Sequence, residues 1–153
     1  MTAVPLPVDQ LDDLVGREVG VSEWHEVTQP MIDRFADATG DHQWIHIDAA
    51  RAAAQSPFKT TIAHGFLTLS LISSLLRSAL TPTGVRLAIN YGLNRVRFVS
   101  PVPSGSRVRG RFTLAAVERT GDAIQATWSA TIEREGADKP ACVAEWIVRY
   151  YPA

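Results

Sequence analysis

The sequence predicts an α+β fold in which an antiparallel sheet curls around one long helix, and three observations lead there. First, from about Ile62 to Leu80 apolar side chains (Phe66, Leu67, Leu69, Leu71, Ile72, Leu75, Leu76 and Leu80) fall on nearly every side of a helix, separated mainly by serines. A helix apolar around most of its circumference requires other structure to wrap it. Second, the chain from Val85 onward turns strand-like, in segments parted by Pro, Gly and Asp turns. Third, one strand and shorter helical patterns precede the long helix, and that element order is an α+β layout.

Near the N-terminus, Val8 to Val15 places Leu11, Leu14 and Val15 on one helical face. Val19 to Val27 alternates imperfectly and reads as a first strand. Thr28 offers an N-cap, Pro30 suits a first turn and Asp33 complements the positive helix end. The stripe Ile32, Phe35, Ala36 and Thr39 then ends at Gly40, a helix-stop residue. Asp48 caps a second short helix, Ala49 to Ala54, which stops before Ser56–Pro57. The long helix ends at Thr81–Pro82–Thr83–Gly84. Strands are expected at Val85–Tyr91, Asn94–Val99, Ser106–Arg119, Ala123–Glu133 and Ala141–Tyr151, with Trp128, Ile132, Trp146, Val148 and Tyr150 on the buried face.

Composition bounds the function. The 153 residues suit one domain spanning 1–153. Hydrophobic residues at 46% and charged residues at 20% are globular values. Fifteen basic against sixteen acidic residues give a net charge of −1, which argues against a nucleic-acid partner. A single cysteine, Cys142, forms no internal disulfide and has no neighbour to make it a nucleophile. The N-terminal residues lack a signal-peptide pattern. Gly65–Leu80 is too short and too polar to span a bilayer, so no membrane association is expected and the cytoplasm is the default location.

The chemistry concentrates in Gly40–Asp41–His42–Gln43–Trp44–Ile45–His46–Ile47–Asp48, read as an irregular span between two helices. A loop on a rigid scaffold can aim polar groups into a cleft. Asp41 and His46 flank a short turn and can converge on one water molecule, which hydration chemistry needs: one group polarises the water and the other handles a proton. The cluster Asp41, His42, His46, Asp48 and His64 has permissive spacing for a metal. Neither a second cysteine nor an HExxH helix accompanies it, however, so no metal or other cofactor is expected. His25 and His42 read as surface residues.

Gly-Asp-x-Gln-x-Ile-His resembles the Gly-Asp-x-Asn-Pro-Ile-His signature of the MaoC-like (R)-specific enoyl-CoA hydratases. The form carrying Gln43 and Trp44 is most similar to the nodulation-protein-N-like branch. Thr61–Ile62–Ala63–His64–Gly65–Phe66 resembles the Ile-Ala-His-Gly start of that family's central helix. The resemblance covers roughly residues 15–151. It implies a hot-dog fold, paired protomers, and reversible addition of water to a trans-2-enoyl thioester, giving the (R)-3-hydroxyacyl product. The family's catalytic carboxylate falls on Asp41 and its imidazole on His46; which of them acts as base stays open. The family's amide falls on Gln43, and Trp44 stands in place of its proline.

Further site residues are expected around this pair. The backbone N–H of Gly65 is the candidate for receiving charge on the thioester oxygen, because first-turn helix amides are unpaired and glycine permits close approach. Thr61, Ile62, Ala63 and His64 are candidates for substrate contact, with Asn90, Phe98 and Arg149 lining the thioester channel. Arg95, Arg97, Arg107, Arg109 and Arg111 alternate on what read as neighbouring strands. They form either a solvated face or a landing strip for the phosphates of coenzyme A or of an acyl carrier. The expected partners are therefore an acyl-CoA or acyl-carrier thioester and a second copy of the chain. A hot-dog thioesterase and a non-catalytic acyl-binding module are the competing readings.

Overall fold

A computed structural model describes residues 2–153. Its main sheet is built from β2 Glu18–Val21, β3 His25–Glu26, β5 Val85–Arg97, β6 Arg107–Thr120, β7 Ala123–Arg134 and β8 Cys142–Pro152. Five of these strands run in the order β2-β6-β7-β8-β5, antiparallel throughout, and β3 pairs a further stretch of β6. Period-two alternation sends Phe112, Leu114, Ala126, Trp128, Ile132, Trp146, Val148 and Tyr150 to the concave face, all of them buried. Rows across the register alternate bulk: Phe112 faces Ala130, which faces Ala144, while the next row joins Leu114, Trp128 and Trp146. Such interleaving leaves room for the helix that fills the concavity.

That helix runs as α4, Gly65–Ser70, and α5, Ile72–Ala79. Ile72, Leu75 and Leu76 are buried against the sheet. Gly110 permits the close approach, since a Cβ there would lie 3.2 Å from Cβ of Leu75 and 2.7 Å from the Phe112 ring. The sequence expectation of one uninterrupted helix from Ile62 is corrected at both levels. Residues 62 and 63 spend their N–H groups on the carbonyls of Ile45 and Val102, leaving the helix to begin at Gly65. At Leu71 the N–H is shared between the carbonyls of Leu67 and Thr68, a local tightening that separates the two segments. Nor is the helix wrapped on all sides: Phe66 is 69% exposed.

Other boundaries shift for identifiable reasons. Leu80–Thr83 ends the helix but also forms strand β4, paired in parallel with β1, Val4–Pro7. Pro5, Pro7 and Pro82 hide this pairing in the sequence, yet a two-stranded edge tolerates prolines. The segments read as Val85–Tyr91 and Asn94–Val99 are one strand, β5, with register shifts at 85/87, 90/92 and 93/95. The first strand divides because Ser22 turns its hydroxyl inward, where it accepts from the N–H of Gly110. Val8–Leu14 is a 3-10 helix that buries Leu11. Helix α1, Gln29–Thr39, is capped by Thr28, which accepts from the Met31 N–H, and stops at left-handed Gly40 as expected. The span after Gly40 is less irregular than expected: Trp44–Ile47 closes one helical turn, α2, before α3, Ala49–Gln55, capped by Asp48. Among the described residues no helix is long and apolar enough to cross a membrane.

Candidate active site

Helix α1 delivers the chain to Gly40, whose positive φ of 78° turns it toward the start of α4. Asp41 follows, exposed, with Oδ1 accepting from the N–H of Gln43 at 3.3 Å. That local bond steers the chain into α2, which places His46 on its buried face at 6% exposure. The His46 ring is fixed from behind: Nδ1 lies 2.8 Å from the carbonyl oxygen of Ile62. A carbonyl only accepts, so Nδ1 carries the hydrogen and Nε2 of the neutral ring keeps its lone pair. Burial holds the His46 pKa below the ordinary imidazole value, against the opposing pull of the Ile62 carbonyl, and His64 lowers it further.

His64, the N-cap residue of α4, completes the cluster. One carboxylate oxygen of Asp41, one ring nitrogen of His46 and one of His64 lie within 4.8 Å of one another. Gln29 supports the group from α1: its amide nitrogen donates to the His46 carbonyl at 2.8 Å, and its amide oxygen accepts from the Thr61 hydroxyl at 2.6 Å. Gln29 carries no motif, and nothing in the sequence marks it. Gln29→Ala strands the Thr61 hydroxyl, in a residue 3% exposed, and frees one carbonyl. A destabilisation of about 1–3 kcal/mol is expected in a denaturant titration.

Residues 11–150 match the family model for the MaoC-like domain. The chain belongs to the MaoC-like dehydratase family. Membership makes it a hydro-lyase with a hot-dog fold. A 3-hydroxyacyl-thioester dehydratase Z of Mycobacterium tuberculosis is 58% identical over 144 residues, covering 94% of this chain and 95% of the relative. Nodulation protein N of Rhizobium leguminosarum bv. viciae is 51% identical over 135 residues, covering 87% and 84%. Among solved structures, the (R)-hydratase from A. caviae involved in PHA biosynthesis superposes with a TM-score of 0.70 at 29% identity, covering 87% of this chain and 96% of the other.

On this MaoC-like frame the remaining residues singled out from the sequence divide into two groups. Ile62, Ala63 and Gly65 line a cleft of about 270 Å³ together with Phe58, Thr68 and Phe98. Phe98 lies flat against Gly65, where a Cβ would meet its ring at 3.1–3.2 Å. The open approach expected at Gly65 is thus occupied by an aromatic side chain, itself 46% exposed. Neither Asp41 nor His46 lines this cleft. Gln43 is exposed at the start of α2. Asn90 lies elsewhere, accepting from the Trp146 indole N–H at 3.1 Å and bordering clefts beside α5.

Arg149 does not line a channel next to the helix. Its strand neighbours Val148 and Tyr150 face the core, so its side chain projects from the opposite face, where it stacks on Tyr91 at 3.5 Å and donates to Gln125. The arginine ladder is also corrected. β5 and β6 are separated by β7 and β8 rather than adjacent. Arg107, Arg109 and Arg111 are engaged by Glu135, Glu133 and Glu18, the last through two parallel bonds of 2.8 and 2.9 Å. Arg97 bonds the neighbouring Val96 carbonyl.

Of the five residues weighed as a metal cluster, the fold gathers three. His42 turns out to Asp37, and Asp48 is engaged as the α3 cap. The imidazoles of His46 and His64 are stacked, 3.8 Å between centroids and 22° between planes. Stacked rings send their in-plane lone pairs side by side rather than to one point, which suits hydrogen bonding better than tetrahedral chelation.

Proposed function

We propose that this protein hydrates trans-2-enoyl-CoA to (R)-3-hydroxyacyl-CoA, and catalyses the reverse dehydration, with Asp41 and His46 gripping one water molecule. The observation that carries the reading is the separation of at most 4.8 Å between the Asp41 carboxylate and a His46 ring nitrogen. Hydrogen bonds of about 2.8 Å to each let a single oxygen reach both. The names of the dehydratase and hydratase relatives support it.

The chemistry follows from the ring's tautomer. Water adds its oxygen to the β-carbon, loses one proton to the Asp41–His46 pair, and the pair returns one proton to the α-carbon. His46 Nε2, with its lone pair free, is the base that receives the water proton. Asp41 accepts a hydrogen bond from the second O–H of the water, which stays on the oxygen as the product hydroxyl, and so orients it. Negative charge gathers on the thioester oxygen, and the Gly65 N–H at the start of α4 receives it. For the thioester to reach that N–H, the Phe98 ring, 46% exposed and packed on Gly65, has to move aside. Thr61, Ile62, Ala63 and Gln43 shape the surrounding wall, and Arg97, next in the chain to Phe98, meets the handle of the coenzyme A or carrier thioester.

The neutral base gives a signed pH dependence. Protonated Nε2 has no lone pair, so kcat/KM falls as pH drops through the His46 pKa. Because burial lowers that pKa, the acid limb lies below the ordinary imidazole value of 6.5. An acid limb above that value contradicts the assignment.

We read residues 1–153 as one domain acting in the cytoplasm as a homodimer. Among the described residues strand β5 has no partner on its outer edge, and Leu87, Ile89, Tyr91 and Leu93 are 38–55% exposed. An unpaired apolar edge is what a second copy covers. Incubation with crotonyl-CoA, followed by chiral analysis of the product and a thiol assay, tests the reaction. The expected product is (R)-3-hydroxybutyryl-CoA; release of free coenzyme A without hydration identifies a thioesterase, and binding without turnover a non-catalytic module.

A further inference from the structure

His64 touches both halves of the proposed reaction centre, yet the steps above give it no part to play. The residue is 3% exposed. One face of its ring stacks on His46 at 3.8 Å, and Phe35 of α1 closes on it at 4.8 Å, tilted by 54°. Nε2 lies 3.0 Å from the main-chain carbonyl oxygen of Asp41 and therefore donates to it. Nδ1 is buried and meets no hydrogen-bond partner among the described residues. A second hydrogen there would be an unpaired buried donor, so the geometry fixes the neutral Nε2–H tautomer.

We propose that His64 is a positioning residue, whose Nε2–H holds the main chain of Asp41 while its ring face holds the imidazole of His46. One side chain then sets the separation of the two groups that share the water. The inference rests on the reading of Asp41 and His46 given above. As core filling alone the ring is a poor choice, because a buried nitrogen with no partner costs stability that a phenyl ring would not. Its anchorage also suits a positioning role, since the His64 carbonyl accepts from Thr68 within α4 and the preceding Ala63 N–H donates to Val102. The chain following α1 is thereby tied to the helix at the centre of the fold.

His64→Phe keeps an aromatic face to stack on His46, on a somewhat larger ring, and removes the N–H to Asp41. In crotonyl-CoA hydration its kcat is expected to fall about 10- to 100-fold, the scale of a misplacement near 1 Å. KM should change less than about threefold and the melting temperature should hold or rise, since an orphaned nitrogen is lost. A variant with wild-type kcat overturns the proposal. So does one in which kcat, KM and melting temperature deteriorate together, the signature of a merely structural role. Nitrogen-15 imidazole spectra of the wild-type protein give a readout independent of turnover and of the variant's folding. His64 is expected to be protonated at Nε2 and bare at Nδ1; a proton on Nδ1 with Nε2 bare overturns the tether. Absence of hydration by the wild-type protein would sink the proposed reaction instead, while the spectra still decide the tether.

Discussion

Asp41→Asn and His46→Gln should each lower kcat for crotonyl-CoA hydration by about 10²–10⁴-fold, the range for loss of a positioned acid–base group. The two substitutions are chosen to spare the fold. Asparagine at 41 keeps an oxygen for the Gln43 N–H but loses the carboxylate charge that orients the water. Glutamine at 46 retains an amide N–H able to donate to the Ile62 carbonyl, yet supplies no lone pair of comparable basicity. The assay follows the loss of the conjugated enoyl-thioester absorbance, with far-ultraviolet circular dichroism as the folding control. Full activity in either folded variant refutes the assignment.

The largest stability effect is expected at Trp128→Ala, a loss of about 3–5 kcal/mol in denaturant titration. Trp128 is fully buried at the centre of the sheet, in register with Leu114 on one side and Trp146 on the other. Its indole N–H also donates to the Tyr150 hydroxyl at 3.2 Å. Removing the indole therefore opens a cavity and strips a buried hydroxyl of its donor. The Tyr150 hydroxyl, pushed up to about 12 by burial, stays neutral throughout the working range and cannot relieve the loss by ionising. A loss below about 1 kcal/mol would mean that the sheet repacks around this position, contrary to the interleaved rows described above.

The proposed reaction centre draws on more local signals in the sequence than the frame that supports it does. Asp41 and His46 stand in a spacing that carries chemical meaning, and α1 places the first of them through signals as local as Thr28 and Gly40. Helix α2 escaped because one turn is shorter than any periodicity can reveal. The bonds from Gln29 to His46 and Thr61 span 17 and 32 residues, so only tertiary structure reveals them. Long-range pairing likewise decides β1 with β4 and turns residues 61–64 away from the helix. The orientation of Arg149, in contrast, could have been read: once Val148 and Tyr150 are assigned inward, strand parity sends the residue between them outward. Parity is less dependable along β5, where three register shifts interrupt the alternation.

A crystal structure with 3-hydroxybutyryl-CoA bound would decide the proposed reaction at the level of atoms. The 3-hydroxyl oxygen, the product's copy of the water, is expected within about 3 Å of both the Asp41 carboxylate and His46 Nε2, with the thioester oxygen facing the Gly65 N–H. A ligand whose hydroxyl touches neither side chain, or whose acyl group lies along the α5 clefts near Asn90 instead, would refute the shared-water mechanism.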